Sequence, residues 1–395
     1  MASGSMHQVA RVAESTRGTT PATPVFQILR DGRLTGGLTR EGITDPAIRP
    51  DRNLVDYRLG KKVLGFSLPF SLCYGAYDTE LEALLCGTWT PSHTITATTI
   101  SALASDNSYN DSGNGFVTAG FAVGDRVAVT GFTGNAANNI TSGAITELTA
   151  SKMTIGGTDG NAIVDDEAGE SVTIVSLENY IKNGTTRRYF TYERKFSDFS
   201  ESDKPYLRYT GCELNTIELR VSNSGAMVEG SFGLVGCDQA TPDGTIISGA
   251  TYTAASTNSA FGSFDGSVSD GGSPSAIVTD FALNVGNGIE AQYVIGAPES
   301  NDSIIGDFSV SGSVGLQYRN TAMLEKALAE TTSSLSLVLE DLNSRSLTIT
   351  LPKIKFSVGT PDVSQKGLVP LTLQFTAMYD STTACTMMLT RKPHA

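Results

Sequence analysis

A chain of 395 residues, 39% hydrophobic and 17% charged, can bury a sizeable core and is far from the composition of a disordered protein. Its formal net charge of −13 argues against gripping nucleic acid by the phosphates, which takes clustered Lys and Arg, although a negative wall would let nucleic acid pass without sticking. No apolar run approaches the roughly 20 residues that span a bilayer, and residues 1–23 lack the apolar core of a secretory signal, so a soluble protein without a membrane anchor, made in the cytoplasm, is expected.

With 41 glycines and abundant Ser and Thr, turns and short strands are favoured over long helices. Residues 40–62 form a loop between two strand-like runs, restricted by Pro46 and Pro50. The loop carries Arg40, Glu41, Asp45, Arg49, Asp51, Arg52, Asp56 and Arg58 in mixed sign. A solvated hairpin tip is the ordinary explanation, since exposed ion pairs contribute little. The sharper expectation is a protruding loop that docks on the next subunit or ring, with Arg forks pairing carboxylates across the contact.

Residues 63–74 read as a strand, and 78–85 as a short helix with Asp78 as N-cap, acidic early turns and Gly87 as its stop. Residues 90–176 then break the pattern, with nine acidic residues against two basic ones, so −7 of the −13 resides there. Short strands at 121–129, 144–148, 152–155 and 171–175 predict a small β-barrel or sandwich inserted into a loop, where insertions are tolerated. Strands follow at 186–196, 212–221 and 226–236, and the Ser-, Thr- and Gly-rich stretch 236–274 reads as a linker. Beyond it come a strand at 307–318, a second capped helix at 320–328, and strands at 335–339, 346–356 and 371–378. The last alternates Leu371, Leu373, Phe375 and Ala377 with Thr372, Gln374, Thr376 and Met378, the period of a sheet with one covered face.

The order strand, strand, helix, three strands thus occurs twice, and short motifs repeat with it. Residues 227–234 read Met-Val-Glu-Gly-Ser-Phe-Gly-Leu and 309–316 read Ser-Val-Ser-Gly-Ser-Val-Gly-Leu, with a weaker echo at 63–68. Gly230, Gly312 and Gly65 are the glycines that define this repeat. The fold class is therefore mainly β with short helices: a duplicated sandwich or barrel unit of strands plus one helix per copy, with a small inserted β-domain. The expected partition is a first unit over 1–89 and 177–238, the insertion over 90–176, a linker over 239–276, and a second unit over 277–395.

No catalytic constellation stands out, and no cofactor is expected. His7, His93 and His394 are too scattered for a triad or a metal site, and read as solvated. Five widely spaced cysteines form no Cys-x-x-Cys pair, and Cys73, Cys212 and Cys237 lie in apolar runs, so buried free thiols are expected. Asp165, Asp166, Glu167 and Glu170 lack EF-hand spacing and read as a solvated turn. Trp89 is the single tryptophan, which is poor equipment for a sugar-binding cleft.

Several segments carry a family resemblance. The chain opens with Val12-Ala13-Glu14-Ser15-Thr16 and Gly18-Thr19-Thr20-Pro21-Ala22-Thr23-Pro24, then shows Leu38-Thr39-Arg40-Glu41, Ile48-Arg49 and Asp51-Arg52. Later come Gly184-Thr185-Thr186-Arg187-Arg188-Tyr189-Phe190-Thr191, Tyr209-Thr210-Gly211-Cys212 and Glu330-Thr331 before Ser333-Ser334-Leu335. Together these resemble tail tube proteins of long-tailed bacteriophages over nearly the whole chain outside 90–176. The resemblance implies a non-enzymatic virion protein whose strands join across subunits into a closed barrel, stacked into the tube through which DNA is ejected. The implied partners are the protein itself, other tail proteins at the tube ends, and genome DNA in transit without specific binding. Six such units would complete a ring, so a chain holding two is expected to close as a trimer with an acidic or neutral bore. The insertion is expected on the tube exterior, and a receptor- or carbohydrate-binding tail component is the alternative.

Overall fold

The computed structural model describes every residue except 1–2, 92, 157–161, 224–226, 276, 344, 362, 364–365 and 394–395. The chain divides into two compact bodies, one formed by Met1–Gly87, Asn183–Leu335 and Leu351–Thr386, the other by Thr88–Lys182, Ser336–Thr350 and Met387–Ala395.

The elements of the first body that matter here are β1 (His7–Glu14), β2 (Thr35–Thr44), β3 (Tyr57–Ser71), α1 (Asp78–Leu85), β4 (Tyr189–Phe196), β5 (Tyr206–Ser222), β6 (Glu229–Gly236), β7 (Val278–Gly286), β8 (Ser309–Gln317), α2 (Ala322–Leu328), β9 (Ser346–Phe356) and β10 (Pro370–Ala377). β9 enters this body only from Leu351 onward. An antiparallel sheet of eight strands runs β2-β3-β6-β5-β7-β8-β10-β9. Its first half reads β2-β3-β6-β5 and its second half β7-β8-β10-β9. In both halves the third and fourth strands in chain order exchange places in space, and a short helix follows the second strand.

One face of this sheet is apolar by strict alternation: Phe66, Leu68 and Phe70 on β3, Phe232 and Leu234 on β6, Leu371, Leu373 and Phe375 on β10 are all buried. Phe70 stacks on Phe232 with centroids 4.4 Å apart, and Phe281 on Phe375 at 5.9 Å. A second layer covers part of this face. β1 pairs with β4 along its length, β4 pairs with the N-terminal half of β5, and Tyr192 on β4 meets Phe66 edge-on at 5.5 Å.

α1 begins at Asp78 itself, so its cap falls one residue before the expected one. Tyr77 is the N-cap and Asp78 the first helical residue, where its charge and that of Glu80 still face the positive helix end. The stop is Cys86, left-handed at φ 48°, with the Gly87 N–H returning to the Glu82 carbonyl at 3.2 Å. The glycine frees the chain after the turn; it does not itself make the turn.

The strongest sequence match joins strands that are not equivalent. Residues 227–234 include β6, the fourth strand of its half, whereas 309–316 lie in β8, the second strand of the other half. The true counterpart of β8 is β3, which holds the weaker echo. The physical reason is a cross-strand pair that has changed sides. Gly230 on β6 lies opposite Phe70 on β3, and Gly312 on β8 lies opposite Phe375 on β10. In each pair a phenylalanine ring fills the space left by a glycine on the neighbouring strand.

The stretch expected to be a linker is not bare. Thr251–Thr253 pairs in parallel with Val25–Ile28, and Phe261 is fully buried.

The second body contains a seven-stranded sheet within residues 94–176. Its strands follow the order Thr94–Ala97, Val172–Ser176, Arg126–Thr130, Ile140–Leu148, Lys152–Gly156, Ser108–Asp111, Ile100–Leu103. Ile100, Tyr109, Phe116, Val127, Val129, Met153, Val172 and Ile174 form its core. The strands Thr94–Ala97, Ile100–Leu103 and Ser108–Asp111 carry no sequence expectation of their own, because they are short and rich in Thr, Ser and other small or polar residues. Thr90–Pro91, Asn179–Lys182, Met388–Lys392 and the start of β9 form a further ladder in this body.

Candidate assembly surfaces

Strand edges come first, because the backbone must satisfy its hydrogen bonds somewhere. Among the described residues β2 has one ladder neighbour, β3, and residues 354–356 of β9 have one, β10. The eight-stranded run therefore has a free edge at β2, the first strand of one half, and at β9, the third strand of the other, only over the short stretch 354–356, because the strand Ser333–Glu340 joins the same sheet beside β9. Inside the chain these same two kinds of strand already meet: β5, the third strand of its half, pairs with β7, the first of the next, from Thr216↔Gly286 to Ser222↔Asp280.

The uncovered face of the sheet is the second surface. Alternation brings Ser67, Ser231, Ser311, Ser313, Thr372 and Thr376 to it, opposite the buried apolar set. Its charges are sparse and mixed. Glu218, Glu229 and Asp280 are acidic, and Arg220 and Lys355 basic, with Lys355 bonded to Glu330 at 3.1 Å. Hydroxyls dominate, and among the described residues of this face the basic side chains are too few to hold a phosphate chain.

The third surface is an arm. Every residue from 39 to 59, the far end of the β2–β3 hairpin, is exposed. All eight charged residues singled out in the sequence sit on it, and six of them turn to each other or to the arm's backbone. Arg49 forks onto Asp51 at 2.7 and 2.9 Å and holds that carboxyl down at about 2. Arg58 reaches Asp56 at 3.0 Å, and Arg40 donates to the carbonyls of Gly60 and Leu59. Asp45 accepts from the Ala47 N–H, and Arg52 takes a left-handed turn at φ 60°. What the arm offers outward is apolar: Ile48 is 100% exposed and Leu54 60%, with Ile43, Val55, Tyr57 and Leu59 also exposed. Sequence reasoning weighed the alternating charges and passed over these six. The signal was six large apolar residues scattered through an otherwise polar stretch, 43–59.

The corresponding β7–β8 connection forms a latch folded onto its own body. It carries the small hairpin of Glu290–Gln292 and Asp302–Ile304. Glu213, almost fully buried, accepts from Arg187 at 2.7 Å, from Arg17 at 3.4 Å and from the Ser303 hydroxyl. Two guanidiniums on one carboxylate, plus the hydroxyl, satisfy the buried charge.

The three repeat glycines differ in need. A side chain at Gly230 or Gly312 would meet a neighbouring carbonyl and a phenylalanine ring, whereas at Gly65 the nearest atom is the Leu234 carbonyl at 3.7 Å.

The remaining sequence candidates have local roles. His7 is half-buried, not solvated: Nδ1 meets the Gly32 carbonyl and Arg194 Nε donates to Nε2 at 3.0 Å. Burial pushes its pKa down despite the Gly32 contact. His93 packs on Phe121, and His394 lies outside the described residues. All five cysteines are free thiols, four of them buried. Glu170 accepts from Thr133 and Gly134, and Asp165 from Ala104. Among the described residues no group of three His, Cys, Asp or Glu is placed to hold a metal ion, and no helix is long and apolar enough to cross a membrane.

No curated protein matches the chain. The family described as phage tail tube protein matches residues 4–377, nearly the whole sequence, and the chain belongs to it.

Proposed function

We propose that this member of the phage tail tube family, a structural protein of the virion tail, builds the tube by pairing the open edge of β9 in one copy with β2 in the next, three copies closing a ring. The observation that carries this is the β5–β7 join, a third strand already paired with a first strand. Repeating that join between chains is a head-to-tail contact, which closes only if its rotation divides the circle. It also removes both exposed edges at once.

The size of the barrel favours three copies. Twenty-four strands about 4.8 Å apart and tilted by about 40° place the backbones on a circle about 48 Å across, roomy enough for a DNA duplex. Two copies give about 32 Å, a barrel of porin size whose channel is much narrower once side chains line it, and six give a void about twice as wide as three. The hydroxyl-lined face is the one we assign to the bore, where sparse, mixed charge would let DNA slide during ejection. The apolar arm is the contact to the next ring, and other tail proteins would meet the same surfaces at the tube ends.

Within this reading, 1–89 with 177–238 form one tube unit and 277–395 the other, joined through 239–276. Residues 90–176 form an insertion on the tube exterior, since a folded module in the bore would obstruct it. The test of the count is the native mass of the ring. Three chains of 41.5 kDa, about 125 kDa, are expected, and a six-chain ring would defeat the proposal.

A further inference from the structure

The insertion's last strand, Val172–Ser176, runs on into the ladder strand Asn179–Lys182, and the residues between them join the two sheets of the second body. Strand pairing fixes what stands beside this joint. Ser176 lies opposite Val127, and the Leu177 N–H carries the pairing on to the Arg126 carbonyl at 2.7 Å, so the next residue, Glu178, falls opposite Asp125. On its other side Asn179 lies opposite Arg391, so Glu178 falls opposite Lys392, which itself pairs with Ser346 of β9. Asp125, Glu178, Lys392 and Ser346 thus form one cross-strand row from the insertion to the ladder. Both carboxyls are buried, Asp125 at 6% exposure and Glu178 at 8%. Asp125 accepts from the Ala122 N–H at 2.8 Å, and Glu178 meets the Lys392 ammonium. Arg126 and Glu340 stand on the wall of the same cavity, about 290 Å³, but Arg126 Nε is taken by the Ser142 hydroxyl at 2.8 Å. His93 lies off the row, packed on Phe121. One ammonium therefore serves two buried acids, with a third nearby.

Carboxylates directly opposite each other repel, and burial sharpens the repulsion, whereas one proton between them replaces it by a hydrogen bond. We propose that this row is a proton-operated fastening between the insertion and the ladder: a proton shared by Asp125 and Glu178 locks the joint, and its loss lets the insertion swing. The cavity beside Glu178 gives solvent a route to that proton. What yields is the attachment, since the insertion's core of Val127, Val129, Val172 and Ile174 is built on its own strands. Burial and the facing Asp125 hold the Glu178 carboxyl above its ordinary 4.5, against the opposite pull of Lys392. With the folded value raised, the joint's extra stability is complete below pH 4.5 and fades as the pH rises through that folded value. All of these groups belong to the second body, so the fastening works in a single chain whether or not three copies close a ring.

Hydrogen exchange on the unassembled full-length protein, corrected for the intrinsic pH dependence of amide exchange, reads the joint. From pH 4.5 to 8 the amides of 124–128 and 176–182 should lose about tenfold or more in protection, while Lys152–Gly156 across the insertion's sheet keeps its own. Glu178→Gln puts an amide donor where the protonated carboxyl stood. It should hold the low-pH protection throughout, changing by less than about twofold. Asp125→Asn still offers an acceptor to the Ala122 N–H and should flatten the profile too, because the repulsion is gone. Protection that stays level across this range in the unaltered protein, or that falls as much in Glu178→Gln and Asp125→Asn, overturns the fastening. An equal fall at Lys152–Gly156 would mean that the whole insertion unfolds, and overturns it as well.

Discussion

Replacing Gly230 or Gly312 by alanine should unfold the first body several degrees earlier, while the same change at Gly65 should not. At Gly230 the added methyl runs into the Glu218 carbonyl and comes within 2.7 Å of Phe70 Cζ. At Gly312 it runs into the Ala282 carbonyl and comes within 2.5 Å of Phe375 Cζ. A ring can turn aside, but a ladder carbonyl cannot, so the β5–β6 or β7–β8 pairing must open. Overpacking of this kind costs about 1–3 kcal/mol, and a double obstacle involving backbone belongs at the upper end. For a body of this size about 2–4 °C is lost per kcal/mol, so a drop of about 6–12 °C in Tm is expected. At Gly65 the nearest atom stands at ordinary contact distance, and removing glycine from a strand should gain about 0.5–1 kcal/mol. Phe70→Leu placed on Gly230→Ala should recover part of the loss, since the two positions share one space. Thermal and urea unfolding of unassembled protein reads all four variants. Alanine tolerated at Gly230 and Gly312 as well as at Gly65 would refute the Gly–Phe account of the repeat.

Because most of the arm's charges are bonded within the arm, tube formation should change little between low salt and about 0.5 M salt, where exposed ion pairs are screened; a steep loss of tubes, followed by light scattering, would restore charge as the docking force. Glu213→Gln should destabilise the latch by about 3 kcal/mol, since Arg17 and Arg187 lose a buried partner, and hydrogen exchange should quicken at 290–304 before the rest of the body. His7 has a folded pKa below its ordinary 6.5, so the unfolded chain takes up the proton more readily. Its contribution is therefore complete above pH 6.5 and fades as the pH falls through the folded value. Stability measured from pH 7 to 5 should decline less in His7→Gln than in the unaltered protein, and identical declines would remove His7 from the account.

Much of the first body was legible because its strands obey one rule. β10 alternates without interruption, and β3 and β6 carry their large apolar residues at every second position. Two readings missed because they depend on partners far along the chain. The best-matching glycine motif lies on non-equivalent strands, since the Gly and Phe of each packed pair trade places between β3–β6 and β8–β10. Nothing in either strand alone tells which of its neighbours supplies the ring. The charges drew the reading to residues 40–62, whereas Ile48 and Leu54 stand out there only by their exposure, which is a property of the fold. The latch left no mark of its own in the sequence. Its Ser300, Ser303 and Tyr293 acquire meaning only beside Arg17, Glu213, Arg187 and Lys62. The stretch 236–274 looked like a linker by composition, because one buried Phe261 among Ser, Thr and Gly is too thin a signal.

Electron cryomicroscopy of assembled tubes, at a resolution that separates strands, tests the central claim most directly. Three chains per ring are expected, with the 354–356 edge of β9 hydrogen-bonded to β2 of the next copy and the serine- and threonine-lined face turned to the bore. Rings of six chains, or β2 and β9 held apart at the subunit boundary, would contradict it.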